Sequence, residues 1–333
     1  MNEDPHNYFM ALALKLASKG SEQTKPNPKV GALLVKEGEV VGKGYHVKAG
    51  DNHAEVIAIK EAGLKANGST LYITLEPCSH HGKTPPCVDL IIQSGVREVV
   101  VACKDPNPHV NGGGLDILKT HNIKVIEDVL SSQATELNKG FFSRMSIKRP
   151  YVRSKIATSI DGKTSLKSGD SKWITSDFAR KDVQQWRKNA CAIITGVNTI
   201  NKDNPQLNVR LNDTNHQPYR VILDTHLSID LDAKILKQKK IILAFGNDPD
   251  GKLDTLQKIN IHCLKLPIYK NFIDLNRLMK ELTNLECNDI LVESGPTLNG
   301  RLLEQNLIDE LILYMAPIIM GGEANPIFKN PVL

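Results

Sequence analysis

The chain has 333 residues, 41% hydrophobic and 24% charged, about twice an ordinary domain and the composition of a globular protein. Its net charge of +5 is spread thinly, which suits an anionic small molecule but not a nucleic acid. No apolar run approaches the ~20 residues of a membrane span, the polar start "MNEDPHNYFM" is unlike a signal peptide, and six cysteines are too few for a disulfide framework, so a cytoplasmic protein is expected.

In chain order, "YFMALALKLASKG" (8–20) has helical spacing and stops at a glycine. "VGALLVKEGEVVGKGYH" (30–46) reads as two strands around a turn at Gly38, and residues 53–68 as a helix. A strand (69–76), a helix (86–95), a strand (96–105), a turn cluster "PNPHVNGGG", a helix near 114–121 and a strand (123–128) follow. Such alternation predicts a sheet with helices on its faces. The basic stretch "RMSIKRP" (144–150) marks the boundary, giving domains 1–147 and 148–333. Beyond it, strands are predicted within 151–160, 190–197, 219–225, 240–246 and 288–294, a second α/β domain.

The strongest chemical pattern is His53-Ala54-Glu55 together with Pro77-Cys78, each read as opening a helix. A helix N-terminus favours a thiolate at Cys78. His53, Cys78 and a third ligand would leave one tetrahedral position of a zinc ion open to water. Glu55, not a ligand, would shuttle that water's proton to a leaving amine, as in zinc deaminases. The deaminase pattern places its second cysteine three residues after the first, but here that residue is His81. Either His81 is the third ligand or a longer loop brings in Cys87, which completes a His-Cys-Cys set and follows the rigid "KTPPC" turn. Cys103, Cys191, Cys263 and Cys287 read as structural.

"HAEVIAIKEAG", "TLEPCSHHGKTPPC" and "DPNP" resemble the deaminase half of the bifunctional riboflavin-biosynthesis deaminase/reductase family. The resemblance implies a cytidine-deaminase-like three-layer α/β/α domain with Cys87 as the third ligand. It also implies substrate contacts from Asn27, His46 and Asn107, although Asn beside Pro favours turns in any case. His80 and His81 become loop residues bordering the substrate.

The second half has no G-x-G-x-x-G after a strand. It does have strand, glycine turn and helix in "NDILVESGPTLNGRLLE" (288–304), a weak phosphate-binding signal. "KIATSIDGKTSLKSGDSKWITS" (155–176), "DNPQLNVR" (203–210) and "VESGPTLNG" (292–300) resemble the reductase half of the same family, which has a dihydrofolate-reductase-like fold and binds NADPH. Ala157, Trp173, Thr199, Asp203 and the turn Gly295, Pro296, Thr297, Leu298, Asn299, Gly300 and Arg301 would then line the cofactor site. Lys155, Ser171, Arg187, Leu207, Arg210 and Glu293 would hold the substrate, the two arginines being suited to a 5′-phosphate. The implied substrate is a diaminopyrimidinone ribosylamino 5′-phosphate, and the implied assembly a homodimer through the reductase halves. Family members continue with further strands beyond "NPIFKNPVL", so a short C-terminus is expected. Two other readings compete: a nucleobase or tRNA deaminase with a C-terminal half serving assembly, and a scaffold with structural zinc. A free carboxylate at Glu55 speaks against the second, the missing basic stripe against tRNA.

Overall fold

The computed structural model describes residues 4–79, 86–108, 110, 112–168 and 176–329. The chain divides into two compact units between Lys148 and Arg149.

In the first unit the elements run α1 (Pro5–Ala17), β1 (Gly31–Lys36), β2 (Glu39–Tyr45), α2 (Ala54–Ala62), β3 (Thr70–Ile73), α3 (Cys87–Gln93), β4 (Glu98–Val101), α4 (Gly113–Thr120), β5 (Lys124–Ile126), α5 (Ser131–Leu137) and α6 (Lys139–Ser146). The sheet order is β2-β1-β3-β4-β5. β1 is antiparallel to β2 and β3, while β3, β4 and β5 are parallel. The β1–β2 hairpin turns at Glu37 and Gly38, both at positive φ as a tight two-residue turn requires. Period-two alternation then builds both faces of the sheet. Ala32, Leu34, Leu71, Ile73, Val99 and Val101 pack with α2, α3 and α4. Leu33, Val35, Tyr72 and Val100 pack with α1, α5 and α6. The result is three layers.

One sequence detail places the chemistry. The glycines of "VVGKGYH" let α2 lie directly on β2: a Cβ on Gly44 would fall 2.3 Å from the Ala54 carbonyl, and one on Gly42 2.3 Å from that of Ala58. No side chain fits at those distances, so the start of α2, with His53 and Glu55, is pressed onto the sheet.

The second unit adds β6 (Tyr151–Ser159), β7 (Lys163–Ser165), α7 (Asp177–Asn189), β8 (Ala192–Gly196), α8 (Val197–Asp203), β9 (Tyr219–Leu223), β10 (Ile241–Phe245), α9 (Leu253–Lys258) and β11 (His262–Lys265). It continues with β12 (Ile268–Tyr269), β13 (Phe272–Ile273), α10 (Leu275–Asn284), β14 (Asp289–Val292), α11 (Pro296–Glu304), β15 (Glu310–Ala316) and β16 (Asn325–Pro326). Seven strands form a parallel sheet in the order β11-β10-β9-β8-β14-β6-β15. Its faces are covered by α10 and α11 on one side and by α8 and α9 on the other. A parallel sheet buried on both faces needs continuous apolar strands, as in "AIITG" and "IILAF". Among the described residues no helix is long and apolar enough to cross a membrane. The longest apolar run of the sequence, "ELILYMAPIIM", instead supplies the edge strand β15.

Candidate active sites

His53 is the N-cap of α2, and Glu55 sits in its first turn, 3% exposed. Cys78 departs from expectation: it opens no helix of its own but lies in the extended segment after β3, and the helix begins at Cys87. The two cysteines meet nonetheless: the Cys87 N–H, at the start of α3, donates to the Cys78 Sγ at 3.4 Å. The His53 Nδ1 is 3.2 Å from the Cys87 Sγ and 3.7 Å from the Cys78 Sγ.

All three donor atoms lie within 4.8 Å of one another. Ordinary Zn–S and Zn–N bonds at tetrahedral angles separate such donors by about 3.5–3.8 Å. The donor set therefore fits a zinc ion with a fourth position left over. His80 and His81 lie outside the described residues.

The electrostatics agree with a metal site. Hydrogen bonds from Cys87 and His53 hold the Cys78 thiol down at about 4, burial resisting them, while its bond to Cys78 and its own burial push Cys87 up. Metal ligation requires both sulfurs as thiolates, so zinc binding here would release protons. His53 is raised by its bond to Cys78. Burial raises Glu55 above the usual carboxylate range, the His53 charge pulling the other way.

His46 is buried, and burial lowers its pKa. Its Nδ1 faces the Asn52 carbonyl at 3.2 Å and its Nε2 the Asn27 amide nitrogen at 3.2 Å. A carbonyl only accepts and an amide NH₂ only donates, so the neutral imidazole carries its proton on Nδ1. Its ring stands edge-on to His53, with centroids 5.6 Å apart. Asn27 and His46 thus belong to the wall beside the zinc ligands. Asn107 lies in a turn whose backbone N–H donates to the Asp105 carboxylate at 2.8 Å.

The residue that sequence reasoning passed over is Glu76, in "TLEPC". Its buried carboxylate accepts backbone N–H groups from Asp105 (3.1 Å), Gly112 (2.8 Å) and Gly114 (3.0 Å). It ties the Asn107-bearing loop to the strand end that leads into Cys78. A glutamate directly before Pro-Cys was the available signal, but its partners lie 29 to 38 residues downstream.

The second unit holds a cavity of about 790 Å3 over the C-terminal ends of its strands, where open α/β sheets bind ligands. Ala157, Thr199, Asp203, Gly295, Pro296, Thr297, Leu298 and Arg301 line it, as do Lys155, Arg187, Leu207 and Glu293. Asn299 and Gly300 are not among the lining residues. The buried Asn299 braces the turn by bonding Ser154 and Ser294, and Gly300 admits the Lys329 backbone, whose oxygen a Cβ would meet at 2.1 Å. Ser171 and Trp173 lie outside the described residues. Arg210 is exposed and not part of the lining.

Arg187 is engaged rather than open. Its Nε and Nη2 donate to the two Glu293 oxygens at 2.5 and 2.9 Å, and its Nη1 to the Asn208 carbonyl at 3.1 Å. Burial pushes Glu293 up, but the Arg187 charge and bonds outweigh it and hold the carboxyl below its usual value. Lys155 is lowered by burial, with Glu293 opposing and Arg187 adding to the effect. The donor-rich turn before α11 and the apolar wall around it suit an anionic dinucleotide.

Comparisons with known proteins cover both units. A family model described as the cytidine and deoxycytidylate deaminase zinc-binding region matches residues 3–103, and one described as the RibD C-terminal domain matches residues 150–332. The riboflavin biosynthesis protein RibD of Escherichia coli K12 is 43% identical over 338 residues, covering 98% of this chain and 91% of its own. That of Aquifex aeolicus is 44% identical over 314 residues, covering 94% and 87%. Among solved structures, Acinetobacter baumannii RibD is 41% identical with a TM-score of 0.90, covering 99% of this chain and 91% of its own. The Thermotoga maritima diaminohydroxyphosphoribosylaminopyrimidine deaminase/5-amino-6-(5-phosphoribosylamino)uracil reductase is 34% identical with a TM-score of 0.84, covering 97% and 90%. A deaminase with an idle second half does not fit matches that run through both halves. The chain belongs to the RibD family of riboflavin biosynthesis, an enzyme with a zinc-dependent deaminase and an NADPH-dependent reductase in one polypeptide.

Proposed function

We propose that the first unit hydrolyses the 2-amino group of a 2,5-diamino-6-ribosylamino-4(3H)-pyrimidinone 5′-phosphate, and that the second reduces the ribosyl group of the product to ribityl. The observation that carries the first step is a buried carboxyl, Glu55, beside a His-Cys-Cys donor set. His53, Cys78 and Cys87 hold the zinc, which when bound supplies Lewis acidity toward a water at its open position. Glu55 takes that water's proton and passes it to the departing amine: a C–O bond forms at the ring carbon as its C–N bond breaks, the remaining hydroxyl proton moves to the ring nitrogen, and a ring carbonyl and ammonia result. A pKa raised by burial suits it to both transfers. Asn27, His46 and Asn107 orient the pyrimidine, the fixed His46 tautomer turning Asn27 toward it.

NADPH, when bound, supplies the hydride for the second step. The Gly295–Leu298 turn and Arg301 receive the cofactor, with Ala157, Trp173, Thr199 and Asp203. Lys155, Ser171, Leu207, Arg210 and the Arg187–Glu293 pair hold the sugar phosphate, Arg210 having the freer guanidinium for the phosphate. The enzyme works in the cytoplasm on a small molecule, without nucleic acid or membrane. It pairs as a homodimer through its second units, a reading supported by the edge strand β15 with Leu311, Leu313 and Met315 exposed.

The test is Glu55→Gln. The variant is expected to keep its zinc while ammonia release falls by about 10²- to 10⁴-fold. Unchanged turnover would remove Glu55 from the mechanism. Ammonia release by the wild type with no NADPH consumption would reject the second step.

A further inference from the structure

The cavity of the second unit has an end that neither the motifs nor the catalytic argument use. Between β11 and α10 the chain forms a two-strand hairpin, β12–β13, turning at Lys270 and Asn271, both at positive φ. It is anchored at its base, since Ile268 occupies the space a Cβ on Gly246 would fill, 2.5 Å away. Asn271, Phe272 and Ile273 line the cavity. The Arg301 guanidinium lies over the Phe272 ring at 4.5 Å from its centroid, and its Nη2 reaches the Tyr269 carbonyl at 3.5 Å. The ring is 40% exposed, so a cation holds it while part of its surface stays open.

The sheet order sets the span. Lys155 stands on β6 and Glu293 follows β14, while residues after β9 line the same cavity. From β6 to β9 the order crosses three strand spacings, about 14 Å. The base of the hairpin packs on Gly246, after β10 and so beyond β9, while Phe272 reaches back to Arg301 of α11, six residues past Gly295. An extended dinucleotide with its reactive ring at Lys155 and Glu293, and its diphosphate at the Gly295 turn, has the hairpin residues Asn271, Phe272 and Ile273 in the cavity wall to receive its adenosine.

We propose that Phe272 is the adenine platform of the reductase: the base stacks on the open face of its ring, and Arg301 fixes the ring from behind. The assignment rests on the cavity being the NADPH site. Stacking a base on an aromatic ring contributes about 5- to 150-fold in affinity.

The probe is adenosine 2′,5′-bisphosphate, which carries the adenine end alone, titrated into the full chain by calorimetry. Phe272→Ala is expected to weaken it at least about 5-fold and to raise KM for NADPH with kcat at saturation kept. Phe272→Tyr is expected to bind as the wild type and Phe272→Leu as the alanine variant. Turnover with reduced nicotinamide mononucleotide, which lacks the adenine, is expected to be the same in all four proteins, as is ammonia release. A Phe272→Leu protein that binds the bisphosphate as tightly as the wild type overturns the proposal, leaving Phe272 as apolar cover. A wild type that binds neither NADPH nor the bisphosphate rejects the cavity assignment itself.

Discussion

Replacing Glu293 by glutamine tests how the reductase cavity is held together. Glu293 and Arg187 are each 11% exposed and share two short charge-assisted hydrogen bonds. Glutamine keeps one oxygen that can accept from the guanidinium, but it removes the negative charge and sets an amide NH₂ against the second donor with little water to replace the lost bond, and breaking such a buried pair costs up to about 3–5 kcal/mol. The comparison is Glu323→Gln, which breaks a pair whose side chains are 78% and 81% exposed and should cost about 0–1 kcal/mol. Both tryptophans, Trp173 and Trp186, fall in the second unit, so urea unfolding followed by tryptophan fluorescence reports on it alone. Because the folded pKa of Glu293 lies below its unfolded value, its contribution is present above about pH 4.5 and is lost as pH falls through the folded value. The gap between wild type and Glu293→Gln should be full at pH 7 and shrink below pH 4.5. A Glu293→Gln protein no less stable than Glu323→Gln at pH 7, or a gap that widens on acidification, would refute this reasoning.

Two further outcomes concern the first unit. One zinc is expected per chain by atomic emission, lost in Cys87→Ser and kept in His81→Ala; the reverse pattern would exchange the third ligand. Glu76→Ala should release the three backbone N–H groups that hold the Asn107 loop, leaving the zinc content intact while KM for the deaminase substrate rises more than kcat falls. A loss of zinc with unchanged KM would make Glu76 a support for the metal loop only.

The zinc chemistry was legible because it needs particular atoms. Only cysteine and histidine offer these donors, and His-x-Glu with Pro-Cys leaves few other uses for them. Most strands were legible for a similar reason: a run such as "IILAF", buried on two faces, has no polar alternative, whereas the partly exposed outer strands β11 and β15 of the second sheet were not read as strands. What was not legible depends on where distant segments meet. The residues alone left His81 and Cys87 as alternatives, since the return of the chain from Cys78 to α3 is set by a loop and not by a period. Pro77-Cys78 resembled a helix start in composition, but the helix that its sulfur meets begins nine residues later. Glu76 and Phe272 are ordinary residues in a sequence and acquire roles only from partners that folding brings to them.

Glu76 also shows why the first unit can tolerate a carboxylate so close to a metal site. A free buried carboxylate would compete with the thiolates for the cation or force a proton onto itself. Three N–H donors from Asp105, Gly112 and Gly114 satisfy its oxygens, and a Cβ on Gly114 would fall 2.2 Å from the Pro77 carbonyl, so only a glycine lets the loop close on it. Two of the buried glutamates of this unit, Glu76 and Glu55, have contrasting environments. Glu76 is saturated with donors and serves structure. Glu55 is desolvated, and its hydrogen bonds to Cys87 and its own backbone N–H, together with the His53 charge, only partly offset this, so its pKa is raised, which suits the proton transfer proposed for it. The contrast is one of hydrogen bonding: three backbone N–H groups meet Glu76, while Glu55 has Cys87 and its own backbone N–H.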